Sequence, residues 1–181
     1  MTPKSLLRLP ASFSSRDEIT SGGFQPVLDD AAIGEREEVR RVVMCGGKVF
    51  YDLADARRKA EEAGETRGRV AILRLEQFYP FPETRIRELF ASFPNAKELV
   101  WTQEEPHNMG AWTFLESRLR NLLPDGARLR YVGRTSSASP ATGSYTTHEL
   151  EQTKIVQDAL KLEVQPEEVV TEQVPDVGVG G

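Results

Sequence analysis

The chain has 181 residues, 39% hydrophobic and 28% charged, which fits one domain with extensions. Its formal charge of −5 is uneven: Glu163, Glu167, Glu168, Glu172 and Asp176 stand against Lys161 in residues 161–181, leaving the first 160 near neutral at −1. That balance speaks against a general nucleic-acid surface, and no run nears the roughly 18 apolar residues a membrane helix needs.

Residues 1–39 show no sustained period; Ser12, Ser14, Ser15, Ser21, Gly22 and Gly23 mark an irregular lead-in arm. Met1 to Pro10 has no apolar core after Lys4 and Arg8, so it is not a secretory signal. The domain is expected over 40–160. Its first strand is Arg41–Cys45, which contains the lone cysteine, Cys45. A single thiol forms no internal disulfide, and its apolar setting reads as inert and buried. The expected compartment is the cytoplasm. Gly46-Gly47 breaks the strand, and a helix over 49–64 carries Phe50, Leu53, Ala56, Ala60 and Ala63 on its inner stripe, with Arg57, Arg58 and Lys59 mostly outside it. The apolar run Val70–Leu75 suits a central parallel strand. Pro82 suits the first position of a helix over 83–93, whose apolar face is Ile86, Leu89, Phe90 and Phe93.

A third strand, 98–101, leads through a loop to a helix near 111–123, lined by Trp112, Leu115, Leu119 and Leu122. Pro124-Asp125-Gly126 turns the chain into a fourth strand, 129–132, followed by a small-residue loop to Gly143. Thr146 and Glu149 read as a capping box opening a last helix to about Leu160. Residues 161–181 form an acidic tail, expected to be disordered. Strands alternating with helices predict an α/β fold: a three-layer α/β/α sandwich on a mixed, mainly parallel sheet. Its strand-end loops gather on one side, where such sheets bind ligands.

Three segments at those strand ends carry the polar groups, Arg74–Pro82, Gln103–Trp112 and Tyr131–Gly143. Gly46-Gly47-Lys48 resembles part of a phosphate loop, but Val49 stands where Ser or Thr is required. It reads as a helix-starting turn or as a contact for an anion or a partner chain. Gln103, Glu104 and Glu105, with His107 and Asn108, read as loop or interface residues. Adjacent carboxylates on extended chain point to opposite sides, so Glu104 and Glu105 make a poor acid/base pair. Asn108 is expected to stitch the loop to the next helix, and Gly110 to allow close backbone approach. His107 reads as a loop or interface residue or a base, and His148 as a neutral, exposed residue in a first helical turn. No metal-ligand spacing joins the two histidines. Arg128, Arg130 and Arg134 share a strand face by the period of two and, with Ser137, form a candidate anion site. The other readings of Arg134 are a buried pair with Glu104 or Glu105, or a plain strand edge.

Read together, these segments resemble one family. Arg41-Val42-Val43-Met44-Cys45-Gly46-Gly47-Lys48-Val49-Phe50-Tyr51-Asp52-Leu53, Glu76 to Pro82, Trp101 to Trp112 and Tyr131 to Gly143, with Met1 to Arg8 as lead-in, are similar to the carboxy-terminal domain of the first component of 2-oxoglutarate dehydrogenase. Gly47 departs from the Ser or Thr common there. The likeness covers about residues 1–160 and implies the transketolase C-terminal type of fold. It also implies an enzyme that uses thiamine diphosphate and magnesium to decarboxylate 2-oxoglutarate and passes the succinyl group to a lipoyl arm of the second component.

The family's Gly-Asp-Gly run, with the Asn that follows it, does not occur in these 181 residues. The resemblance therefore assigns cofactor and chemistry to other domains of the same enzyme, and expects no cofactor and no catalytic residue on this chain alone. It implies a homodimer-supporting role, and by likeness to some actinobacterial members an acetyl-CoA effector near Arg128, Arg130 and Arg134. The alternatives are a non-catalytic acyl-CoA-binding or subunit-interaction domain, or the matching domain of another 2-oxo acid dehydrogenase.

Overall fold

A computed structural model describes residues 3–64 and 70–161. The acidic tail beyond Lys161, expected to be disordered, lies outside the described residues. The architecture is the α/β/α sandwich expected from the alternation of elements. Five strands, β1 (Val27–Leu28), β2 (Arg41–Cys45), β3 (Val70–Leu75), β4 (Glu98–Pro106) and β5 (Arg128–Arg134), lie in the order β1-β3-β2-β4-β5. Strands β2 to β5 pair in parallel and β1 pairs antiparallel with β3. Among the described residues, the two-residue β1 is the one antiparallel strand of the sheet.

Each face of the sheet is covered by helices whose apolar spacing the sequence sets. Helices α3 (Glu83–Ala91) and α4 (Trp112–Arg120) bring Ile86, Leu89, Phe90, Leu115 and Leu119 onto Val42, Met44, Leu73, Leu99 and Trp101. Helices α2 (Val49–Glu62) and α5 (Tyr145–Leu160) bring Val49, Leu53, Ile155 and Ala159 onto Val43, Cys45, Ile72, Val100 and Val132. Alternate residues of one strand thus feed two cores, as a pleat with period two requires. Cys45 is fully buried, and burial pushes its thiol well above the ordinary range.

Several expectations change. The lead-in arm, read as irregular, contains helix α1 (Arg16–Ser21) and strand β1. Ser15 caps α1 in a capping box with Glu18, and the Ser15 amide donates to that carboxylate at 2.6 Å. Arg57, placed outside the inner stripe of α2, is buried: it forks onto Asp30, which also accepts from the Ile72 amide at 2.7 Å. A buried guanidinium is tolerated here because a carboxylate and the Val70 carbonyl, at 3.1 Å, meet its donors. Pro82 precedes α3 as its N-cap rather than its first residue. The cap of α5 is Ser144, whose hydroxyl accepts from the Thr147 amide, and not Thr146 with Glu149. Strand β4 runs five residues past the expected end at Trp101, which places Gln103, Glu104 and Glu105 on the strand rather than in a loop.

Candidate functional site

The carboxyl ends of β4 and β5 are organised by one side-chain amide. Gln103 is 4% exposed. Its Oε1 accepts from Trp101 Nε1 at 2.9 Å and from the Trp112 amide at 3.0 Å, while Nε2 donates to the Met109 carbonyl at 2.7 Å and the Pro106 carbonyl at 3.2 Å. These four bonds fix the 106–111 turn between strand and helix, and they coincide with the register irregularity between Thr102 and Pro106. Gly110 sits at φ +67°, and a Cβ there would lie 2.9 Å from Gln103 Nε2, so glycine is required twice over.

Beside this clamp, Tyr131 Oη reaches the carbonyls of Glu105 and Arg134, each at 3.2 Å. Burial raises its hydroxyl to about 12, against the lowering effect of Gln103. The exposed ring of His107 stands edge-on to Tyr131 at 4.7 Å between centroids and 6.1 Å from Trp112, and its amide donates to Arg134 O at 3.0 Å. His107 is thus a packing residue of this turn. Asn108 does not stitch its loop to the next helix. It exchanges two 3.0 Å bonds with the backbone of Ser137 and so joins the loops that follow β4 and β5.

The glycine pair makes a turn in which Gly47 takes φ +69°. Lys48 then meets Asp52 at 2.8 Å and Glu104 at 3.2 Å, and Gln152 of α5 donates to the same Asp52 oxygen at 2.8 Å. Burial opposes the charge on Lys48, but the bond to Asp52 and the Glu104 carboxylate outweigh it and hold the ammonium above its ordinary range. Glu104 turns to Lys48 while Glu105 is exposed, the opposite orientation expected of neighbours on a strand. Among the described residues no group of three or more His, Cys, Asp or Glu could hold a metal ion. With Lys48 engaged by two carboxylates, these residues do not fit a magnesium diphosphate.

The arginine site is rearranged. Arg130 and Arg134 do share a face, and with Glu151, Lys154, Ile155 and Asp158 of α5 they line an open cleft of about 340 Å³. Arg128, at the far end of β5, is exposed and outside that lining. Arg134 pairs with neither Glu104 nor Glu105. Its Nε lies 3.0 Å from Glu151, and its Nη2 lies 2.7 Å from His148 Nδ1. His148 is therefore half-buried against a guanidinium rather than exposed, with Nδ1 as the acceptor. Ser137 lies in an adjoining cavity of about 180 Å³ with Ser136, Ser139, Arg134 and Glu151. Its hydroxyl accepts from the Ser139 amide at 3.1 Å. Sequence reasoning missed Glu151, Lys154 and Asp158. Their only signal was an i, i+3, i+4, i+7 row with Ile155 on the last helix.

Comparison with known proteins places this arrangement. A family model described as 2-oxoglutarate dehydrogenase C-terminal matches residues 13–160. The 2-oxoglutarate dehydrogenase E1 component of Geobacillus sp. (strain WCH70) is 45% identical over 161 residues, covering 88% of this chain and 16% of that protein. The E1 component of Exiguobacterium sp. (strain ATCC BAA-1283 / AT1b) is 44% identical over 165 residues, covering 91% and 17%. That of Bacillus subtilis (strain 168) is 45% identical over 161 residues, covering 88% and 17%. The chain thus spans about one sixth of the length of the relatives it matches. With four parallel strands, an antiparallel edge and helices on both faces within the matched span, it belongs to the 2-oxoglutarate dehydrogenase C-terminal family.

Proposed function

We propose that residues 40–160, with the arm before them, serve as the carboxy-terminal domain of an E1 enzyme of the tricarboxylic acid cycle. That enzyme decarboxylates 2-oxoglutarate with thiamine diphosphate and magnesium and succinylates the lipoyl group of the second component. In this reading the domain supports a cytoplasmic homodimer and docks on the cofactor and middle domains of its own chain. The observation that carries the reading is the 44–45% identity to E1 components over nearly the whole chain. The thiamine cofactor supplies the electron sink, and other parts of the enzyme hold it. Assaying the complete enzyme with 2-oxoglutarate, pyruvate and branched-chain 2-oxo acids tests the assignment. Preference for 2-oxoglutarate is expected, and preference for either other substrate would move the domain to another 2-oxo acid dehydrogenase.

A regulatory role rests on the cleft between β5 and α5. Arg130, Arg134 and Lys154 line it with Glu151 and Asp158, Arg134 pairing with Glu151 and Lys154 with Asp158. A phosphate of acetyl-CoA would compete with Glu151 for Arg134, a fork suited to either group. Arg134→Ala is expected to weaken acetyl-CoA binding roughly 10-fold, the worth of one charge-assisted bond. The stability cost should be only about 1 kcal/mol, because the Glu151 side chain is 37% exposed and regains water. Calorimetric titration and urea unfolding of the same variant separate the two effects. Unchanged affinity with a loss of about 3 kcal/mol or more would make Arg134 a purely structural partner.

A further inference from the structure

Large apolar side chains that a folded domain leaves in water call for an occupant when they cluster, above all where polar residues rim them. Eight large apolar residues are exposed among the described residues. Four of them, Phe13 at 62%, Phe24 at 70%, Phe78 at 37% and Tyr79 at 84%, belong to the carboxyl end of the sheet. Phe13 and Phe24, from the arm, line a cavity of about 450 Å³ with Tyr51, Arg74 and Glu76, at the end of β3. Phe78, three residues past β3, lines a second cavity of about 320 Å³ with Gly46, Gly47, Trp101 and Gln103. The second cavity lies between the ends of β2 and β4. The chain goes from β2 to β3 on one side and returns to β4 on the other, so this is the sheet's switch point.

The two cations at this end are both engaged by carboxylates. Arg74 meets Glu76 at 2.6 Å, stacks on Phe50 and donates to Tyr51 Oη at 2.8 Å. Lys48 is held by Asp52 and Glu104. What remains is aromatic surface with the exposed carboxylates Glu18 and Glu105 beside it, the composition of an interface core with a polar rim. Aromatic rings are also the side chains that most often anchor such a core.

We infer that the aromatic surface formed by Phe13, Phe24, Phe78 and Tyr79 at the carboxyl end of the sheet is where this domain packs on the remainder of its own enzyme chain. The occupant follows from two observations. About five sixths of the length of the E1 relatives lies outside the matched region. The arm, which joins this domain to preceding sequence in such a protein, runs along the same end and contributes two of the four aromatics. The inference rests on the proposed place of the domain in a longer E1 chain.

Hydroxyl-radical footprinting tests it, comparing the 181-residue chain with the complete enzyme. Oxidation of Phe24, Phe78 and Tyr79 should fall at least ~5-fold in the complete enzyme, as for side chains moved from water into a dry interface core. Tyr145, 75% exposed on α5, is the internal control and should stay reactive. Equal oxidation of Phe78 and Tyr79 in both samples would overturn the inference. So would protection in the 181-residue chain that grows with its concentration, since the occupant would then be a second copy. Turnover of 2-oxoglutarate by the same complete enzyme is scored separately: its absence would count against the E1 reading, whereas a footprint without protection in an active enzyme would count against this surface alone.

Discussion

Asp30→Ala is expected to lower the unfolding free energy by about 3–5 kcal/mol, the usual cost of leaving a buried charge without its partner. The side chains of Asp30 and Arg57 are only 5% and 8% exposed, so water does not screen the loss. The carboxylate also accepts from the amides of Ala32 at 3.1 Å and Ile72 at 2.7 Å. One side chain therefore ties the arm to helix α2 and to the middle of strand β3. Its removal orphans a guanidinium and an amide together, and urea unfolding should show the midpoint falling with little change in slope. Arg57→Met in the Asp30→Ala background should restore part of the loss, because it removes the stranded cation. A loss under about 1 kcal/mol for Asp30→Ala would mean that the arm is not held through this pair.

Arg41→Ala should cost a similar amount, again about 3–5 kcal/mol. Arg41 is fully buried at the start of β2, the middle strand of the sheet. Its Nε donates to Glu98 on β4 at 2.6 Å, and its Nη1 donates to the carbonyls of Asp158, Ala159 and Lys161 at the end of α5. A helix leaves its last four carbonyls without intrahelical partners, and Arg41 supplies donors to them. The change thus strands Glu98 and uncaps α5 in one step. Thermal unfolding should move down by about 10 °C, given roughly 2–4 °C per kcal/mol at this size. The double change Arg41→Met, Glu98→Leu should recover the part due to the buried carboxylate but not the part due to the cap. Full recovery would show that the contacts with the end of α5 contribute nothing.

The strands that end at Cys45 and Leu75 were legible in the sequence because each is a mostly apolar run bounded by glycine or polar residues. The end of β4 was not legible. Gln103, Glu104 and Glu105 look like loop chemistry, yet they stay on the strand because Gln103 is satisfied by its own neighbourhood and Glu104 by Lys48. Pairs far apart in sequence were equally hidden. Nothing local shows that Asp30 will meet Arg57, and the charge pattern of α2 alone places Arg57 outside. The period of two placed Arg130 and Arg134 on one face, but it carried no information on which helix would cover that face. Glu151 was therefore overlooked in favour of the nearer-looking Glu104 and Glu105. The sequence reading offered only Thr146 as a cap; Ser144 takes that place because it lies in extended backbone at φ −114° and ψ 130°, the conformation a capping residue needs. The family resemblance, read from ordered segments rather than from periodicity, conveyed the three-layer architecture but not the strand order or the short elements of the arm; the local rules conveyed its pieces.

The central claim is that this domain belongs to a 2-oxoglutarate dehydrogenase E1 chain without itself carrying the decarboxylation chemistry. Carbon dioxide release from 2-oxoglutarate, with thiamine diphosphate and magnesium present, tests it most directly. The complete enzyme should release carbon dioxide, and a homogeneous preparation of the 181-residue chain should not exceed a protein-free control. Turnover by the 181-residue chain alone, or an inactive complete enzyme, would contradict it.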